Sequence, residues 1–415
     1  SWIQASGGAW RKQVAHDDVL LVVDVGGGTT DFSLIAVLEQ DGNLALQRVA
    51  VGEHILLGGD NMDLALAYGV ARKLAQEGKP LDAWQTRALA HACRTAKEQL
   101  LADATLPSVP VVVPSRGSKL IGGSIRTEVT QAEVLQLLLE GFFPRVAASD
   151  KPQVRARAAL TQLGLPYAQD AAVTRHLAAF LSRQLDATAQ IEGLQPRAGA
   201  SFVHPTAVLF NGGVLKATQI EQRILQVING WLDDEACEPA RLLDGANLDL
   251  AVARGAAYFG HVAAAGRGVR IRGGTAQSYY VGVESNMPAI PGMEPPISAL
   301  CLAPFGMEEG SEVALDAQEF GLVVGEPVRL RFFGSSVRRH DGVGTLLDFW
   351  GPEELVELQE IEALLPAEGR SPGEVVPVHL HARVTDIGTL ELSAVPVGGN
   401  ARWKVEFDVR APATA

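Results

Sequence analysis

Asp24-Val25-Gly26-Gly27-Gly28-Thr29-Thr30-Asp31 is the stretch whose reading decides the fold. The apolar run Val19-Leu20-Leu21-Val22-Val23 precedes it and Phe32 to Leu38 follows, so the glycines fall at a turn between two strands. Consecutive glycines allow close backbone approach to a ligand, and successive N–H groups can then cradle a polyphosphate. The Thr29 hydroxyl can donate to a phosphate oxygen. Asp24 and Asp31 supply the hard oxygens that Mg²⁺ favours, through waters. The stretch is not the G-x-x-x-x-G-K-[ST] loop, and it opens a strand where a dinucleotide fingerprint would open a helix. The bland alternative is a glycine hairpin with an aspartate at each end.

Outward from this turn, Asp41-Gly42 leads into a further strand, Leu44 to Val51. Helical periodicity then covers 60–77 and 82–102, with Leu89, Cys93, Ala96, Leu100 and Leu101 on one face of the second helix. Pro107 and Pro110 end that pattern, and Val109 to Val113 predicts a strand. Thr130 and Glu133 form a capping box that opens a helix over 131–143. Residues 145–200 are Arg- and Ala-rich and read as mostly helical, with an apolar stripe of Val173, Leu177, Phe180, Leu181 and Leu185. Arg155, Arg157, Arg175 and Arg183 in that stretch suit a solvated face better than a partner surface. Thr206 to Phe210 predicts a strand, Asn211-Gly212-Gly213 a turn, and 217–232 and 250–265 two more helices. Beyond Gly273 turn residues punctuate short β segments at the spacing of a sandwich or barrel. The Gly- and Arg-rich stretch 266–274 therefore reads as a hinge between an α/β unit and an all-β unit.

With 35 Lys plus Arg against 48 Asp plus Glu, the 415-residue chain carries a formal charge of −13. Such a chain repels phosphate backbones, which argues against nucleic acid as a partner. Hydrophobic residues make up 47% and charged residues 20%, which excludes wholesale disorder. No apolar run approaches the ~20 residues of a membrane span, and nothing at the start reads as a secretion signal. Cys93, Cys237 and Cys301 have no paired spacing and read as reduced, buried thiols of a cytoplasmic protein. His379 and His381 share a strand face, but no third metal ligand is apparent, and Asp233-Asp234-Glu235 reads as a charged helix end. No Cys/His or Ser/His/Asp arrangement can be argued from spacing.

The Asp24 to Asp31 motif resembles the second phosphate loop of the actin-like ATPases, specifically of heat-shock chaperones of the DnaK type. Leu57-Gly58-Gly59-Asp60-Asn61-Met62-Asp63 resembles the Leu-Gly-Gly segment that follows in that family, with Asn61 standing for an Asp. Ala96-Lys97-Glu98-Gln99-Leu100 resembles the helix whose Lys packs beside the adenosine. Arg94, Glu98 and Leu101 stand where that helix carries Glu, Arg and Ser, so of these residues Lys97 alone is retained; the alternative for Lys97 is a solvated surface lysine. Val208-Leu209-Phe210-Asn211-Gly212-Gly213-Val214 resembles the adenosine motif. Asn247 to Ala257 resembles the small-residue helix that borders the site, with Asp249 matching the family Asp.

The resemblance implies an α/β plus all-β fold: an actin-like (ribonuclease H-like) ATPase lobe II over 1–265 with a helical insertion at about 145–200, the hinge at 266–274, and a β-sandwich over 275–415. Asp386 to Leu392 weakly resembles a strand pair of the peptide-binding domain. It implies ATP or ADP with Mg²⁺ as cofactors, phosphates on Asp24, Gly26, Gly27, Gly28 and Thr29, adenosine beside Lys97, Gly212, Gly213 and Asp249, and metal near Asp24 and Asp31 through water. The first phosphate loop and the catalytic Lys would lie in a lobe I ahead of Asp24, so the intact protein would be the ATPase and this portion alone inactive. The implied function is nucleotide-gated binding of a client polypeptide, with client or co-chaperone as partner and neither nucleic acid nor membrane. The alternative is a non-hydrolysing, nucleotide-binding interaction scaffold on the same fold.

Overall fold

The computed structural model describes residues 1–40, 42–52, 54–113, 124–153, 167–185, 188, 191, 194, 197–243, 247–265, 268–269, 271–275, 277–285, 295–335, 337–351, 354–358, 360–385, 389–399 and 402–408. The chain divides into two compact units, Ser1–Ile271 and Arg272–Ala415. Among the described residues no helix is long and apolar enough to cross a membrane.

The first unit is built on a six-stranded sheet. Its strands are β1 (Val19–Val25), β2 (Thr30–Gln40), β3 (Asn43–Val51), β6 (Ala207–Asn211), β7 (Arg241–Leu242) and β8 (Ile271–Arg272), in the order β7-β6-β1-β2-β3-β8. A separate hairpin pairs β4 (Ser108–Val113) with β5 (Ile125–Thr130). β1 is antiparallel to β2 and parallel to β6, so the central strand has partners near in sequence on one side and remote on the other. Its unbroken Val/Leu run has a reason: a sheet covered on both faces needs apolar side chains on both. Leu21, Val23 and Val25 enter one core, while Leu20 and Val22 enter another.

The second of these cores is closed by the N-terminal segment, which periodicity left unread. α1 (Trp2–Ser6), a 3₁₀ turn (Gly7–Ala9) and α2 (Trp10–Gln13) are too short to show a helical repeat. Trp2 and Trp10 nevertheless pack edge to face with centroids 6.3 Å apart, beside Leu20, Ile35 and Leu46. Asp18 ties this end together. Its carboxylate accepts from the Ala15 N–H (2.7 Å), Thr206 Oγ1 (2.7 Å) and Arg241 Nη2 (2.6 Å).

The first core is covered by α3 (Gly59–Gln76), α4 (Ala83–Ala102), α5 (Gln131–Gln136) with a π-helical turn at Leu137–Phe142, α6 (Val173–Arg183) and α7 (Thr218–Asp234). The expected α3 and α4 patterns match these spans to within a residue, and Asp82 and Thr130 cap α4 and α5. Within 145–200 the described residues are helical only in part. Among the described residues of that stretch α6 is the one long helix; 145–153 and 167–172 are irregular, and Pro144 and Pro152 stand where a helix would have to continue. α6 is part of the core, with Phe180 and Phe32 centroids 5.7 Å apart. Arg175 is paired internally with the buried Asp170 at 3.0 Å; Arg155 and Arg157 lie outside the described residues. α8 (Ala251–Ala265) ends the helical part of the unit.

The second unit is antiparallel. One sheet orders Leu346–Leu347, Ile297–Ala303, Ser278–Glu284, Phe332–Ser335 and Val356–Glu357; another orders Glu312–Val324, Glu374–Val384, Thr389–Pro396 and Trp403–Asp408. Alternate residues of both feed one core, including Tyr279, Val281 and Leu300 from the first and Val378, Leu380 and Leu392 from the second. His379 accompanies the Gln318 carbonyl and His381 lies near Glu312 and Asp316; no metal cluster occurs among the described residues. Residues 386–388 of the Asp386 to Leu392 segment lie outside the described residues.

Trp10 is 1% exposed, so Trp10→Ala should remove about 3–5 kcal/mol of stability. Chemical denaturation checks this; a loss under about 1 kcal/mol would detach the N-terminal segment from the fold.

Candidate functional site

The turn between β1 and β2 is closed by the Gly26 N–H donating to the Thr29 carbonyl at 2.9 Å, which leaves Gly27 and Gly28 exposed at its tip. None of Gly26, Gly27 and Gly28 adopts the left-handed backbone. A Cβ on Gly28 would meet nothing within 4 Å, and one on Gly27 would meet only Asp60 Oδ1, at 3.8 Å. Neither backbone conformation nor internal crowding therefore requires glycine at the tip. The space kept clear lies outside the chain.

The flanking glycines answer to the opposite constraint. A Cβ on Gly58 would lie 2.6 Å from the Gly27 carbonyl oxygen and 2.7 Å from that of Gly26. This closeness lets the start of α3 donate into the turn: Gly59 N–H to the Gly26 carbonyl (3.0 Å) and Asp60 N–H to the Gly27 carbonyl (2.7 Å). Asn61 holds the junction, its Oδ1 accepting from the Gly58 N–H at 2.9 Å. On the other flank Gly212, at φ +90°, would carry a Cβ 2.3 Å from the Val25 carbonyl oxygen and 2.6 Å from Asp24 Oδ1. These junctions lie at the C-terminal ends of the parallel strands β1 and β6, where ligands of α/β sheets bind.

Two carboxylates face one another at the base of the turn, since Asp24 and Asp31 are register partners. Asp24 Oδ2 accepts from Asn211 Nδ2 at 2.6 Å, and Asp31 Oδ1 lies 2.7 Å from His54 Nδ1. Burial, seconded by the Asp31 charge, holds the Asp24 carboxyl above its ordinary range against the Asn211 hydrogen bond. Asn211 Oδ1 is buried and has no hydrogen-bond partner among the described residues. The two threonines separate as strand alternation requires: Thr29 is half-buried at the turn, whereas Thr30 is fully buried and donates to the Leu57 carbonyl at 2.7 Å.

Lys97 is not a solvated lysine. It is 7% exposed, with Nζ 2.6 Å from Asp63 Oδ1 and 3.4 Å from the Gly59 carbonyl oxygen. The second Asp63 oxygen takes Arg94 Nε at 2.7 Å, and Arg94 reaches Asp60 as well. A Cβ on Gly59 would lie 3.2 Å from Val214 Cγ2 and 3.6 Å from Lys97 Nζ. Thus α3, α4 and the segment after β6 converge beside Gly26. Gly213 is exposed and unobstructed. Asp249 stands apart from this cluster, exposed and ion-paired with Lys216.

The sequence motifs assign no role to Asp63, Asn211 or Gly58, although all three lie inside them, because their partners are remote in the chain. Residues 8–148, which include the turn, Gly58, Asp63 and Lys97, match a family model described as Hsp70 protein.

Gly58→Ala and Gly212→Ala should each cost at least about 1–3 kcal/mol, since backbone must move to admit the methyl group. Gly28→Ala should leave stability unchanged within about 0.5 kcal/mol. Thermal unfolding of the three variants checks the contrast.

Proposed function

We propose, from the match of residues 8–148 to the Hsp70 family model, that this chain carries nucleotide-binding residues of an Hsp70-type chaperone with an actin-like fold. The observation that carries the reading is the exposed Gly27-Gly28 tip, glycine without internal need, flanked by glycines that internal contacts demand. In this reading the N–H groups of Gly27 and Gly28 and the Thr29 hydroxyl take ATP or ADP phosphates. Gly212, Gly213 and Lys97 border the nucleoside, with Asp249 at the rim. The site's donor set suits Mg²⁺: Asp24, whose charge is disfavoured first by burial and then by the facing Asp31, and Asp31 itself, with phosphate oxygens and water completing the shell. When bound, Mg²⁺ would neutralise phosphate charge, and Asp24 and Asp31 would hold it through water. The chain's own part in hydrolysis is positioning and charge neutralisation.

The second unit suits a β-sandwich whose sheets share one core, and we assign it client-polypeptide binding in a cytoplasmic chaperone, gated by the nucleotide. One observation favours a second reading, a scaffold that binds nucleotide without turning it over. The Lys97 ammonium is already engaged by Asp63 and Gly59. Steady-state ATP turnover separates the two.

Mg·ADP should raise the melting temperature, because a ligand that binds only the folded state stabilises it. Thr29→Ala should shrink that shift and leave the ligand-free melting temperature in place. Thr30→Ala should instead lower ligand-free stability by about 1–3 kcal/mol, through the buried Leu57 carbonyl it strands. Equal effects of the two substitutions on the ligand shift would move the phosphate site off this turn.

Asp24→Asn should act in opposite directions on stability and binding. The Asp24 carboxyl is held above its ordinary range, so the folded state disfavours the charge it bears at neutral pH, and stability gains as pH falls into the range where Asp24 takes up its proton. The amide removes that charge, so the ligand-free melting temperature should rise while the Mg·ADP shift disappears.

A further inference from the structure

At the far end of α7 the chain brings together a thiol, an imidazole, a carboxylate and a guanidinium. Cys237 Sγ lies 3.4 Å from His204 Nδ1, and His204 Nε2 lies 2.7 Å from Glu235 Oε2. Arg197 Nη1 donates to Cys237 Sγ at 2.7 Å and to the Glu235 carbonyl at 2.7 Å. The helix end sets this geometry. Ala236 takes the left-handed backbone at φ 51°, and the Cys237 N–H turns back to the Leu232 carbonyl at 2.8 Å, placing the sulfur beside His204. The imidazole is held from its other side by Phe202, with ring centroids 4.8 Å apart at 77°.

We propose that Cys237 is a reactive thiol and the modification site of this chain for hydroperoxides, with His204 as the base that accepts its proton. With Glu235 accepting from Nε2–H, the His204 tautomer leaves the Nδ1 lone pair facing Sγ, the nucleophile–base–orienter order of activated thiols. The Arg197 guanidinium stabilises the thiolate that forms. The thiolate attacks one oxygen of hydrogen peroxide, an S–O bond forms and the O–O bond breaks. Sulfur is oxidised by two electrons to the sulfenic acid, and the leaving hydroxide takes the proton from His204 and departs as water. The balance is thiol plus hydrogen peroxide giving sulfenic acid plus water.

The other two cysteines supply an internal control. Cys93 and Cys301 are fully buried, and burial pushes both thiols up to about 12, with a nearby carboxylate (Asp63 and Asp341) adding to the shift. Cys237 is partly exposed and has cationic and basic neighbours. The cluster is not a metal site, because Glu235 lies on the side of the imidazole away from the sulfur.

The test uses the full chain at pH 7, treated with substoichiometric hydrogen peroxide, trapped with dimedone and read by peptide mass spectrometry, with iodoacetamide alkylation as a second measure. Free cysteine is only a few per cent thiolate at that pH, so Cys237 should react at least about tenfold faster than free cysteine, while Cys93 and Cys301 stay unlabelled. His204→Gln and Glu235→Gln should each remove most of that advantage at pH 7, and the advantage should shrink at pH 10, where free cysteine ionises without help from a base. A wild-type rate no greater than that of free cysteine overturns the proposal and needs no variant to fold. Folded variants with unchanged rates at pH 7 overturn it as well.

Discussion

The carbonyl groups of Val25, Gly26 and Gly27 are approached on both flanks by backbone that leaves no room for a side chain, and the rest of the site follows from that constraint. On one flank, α3 spends its first N–H groups on the turn, so its helix dipole does not face a ligand directly. The peptide units whose carbonyls accept those bonds are the same units that present the Gly27 and Gly28 N–H groups. Hydrogen bonds in series polarise one another, so the helix strengthens these N–H donors through the intervening amides. A turn held in this way is a relay between a helix terminus and the solvent.

Asp63 plays the matching part for the side chains. One buried carboxylate takes Lys97 with one oxygen and Arg94 with the other, which locks α3 to α4 and fixes the floor beside Gly26. Asp24 and Asp31 form a different kind of pair, like charges brought into register by the hairpin itself. The buried Asp24 charge, with Asp31 facing it, is a cost the folded protein carries until positive charge arrives, the usual relation between stability and a binding site.

Much of this was legible in the sequence because much of it is local. The β1–β2 turn, the α3 and α4 spans and the Thr130 cap all follow from residues within a few positions of each other. What escaped reading has long range. The demand for glycine at 212 comes from Val25 and Asp24, and the burial of Lys97 comes from Asp63; neither shows in a window of local periodicity. In 145–153 and 167–172 alanine and arginine raise helix propensity, whereas packing and proline keep these described residues out of a helix. Trp2 and Trp10 sit in segments too short to carry a period. The Cys237 cluster depends on a left-handed alanine, which no spacing rule anticipates.

The pairing of β1 with β6 also has a consequence in time. Asp24 and its partner Asn211 are separated by 187 residues. At 5–20 residues per second a ribosome needs roughly 10–40 s to synthesise that interval. Through it one long edge of β1, a Val/Leu run, waits without its parallel neighbour, and exposed strand edges of this kind are where nascent chains mispair.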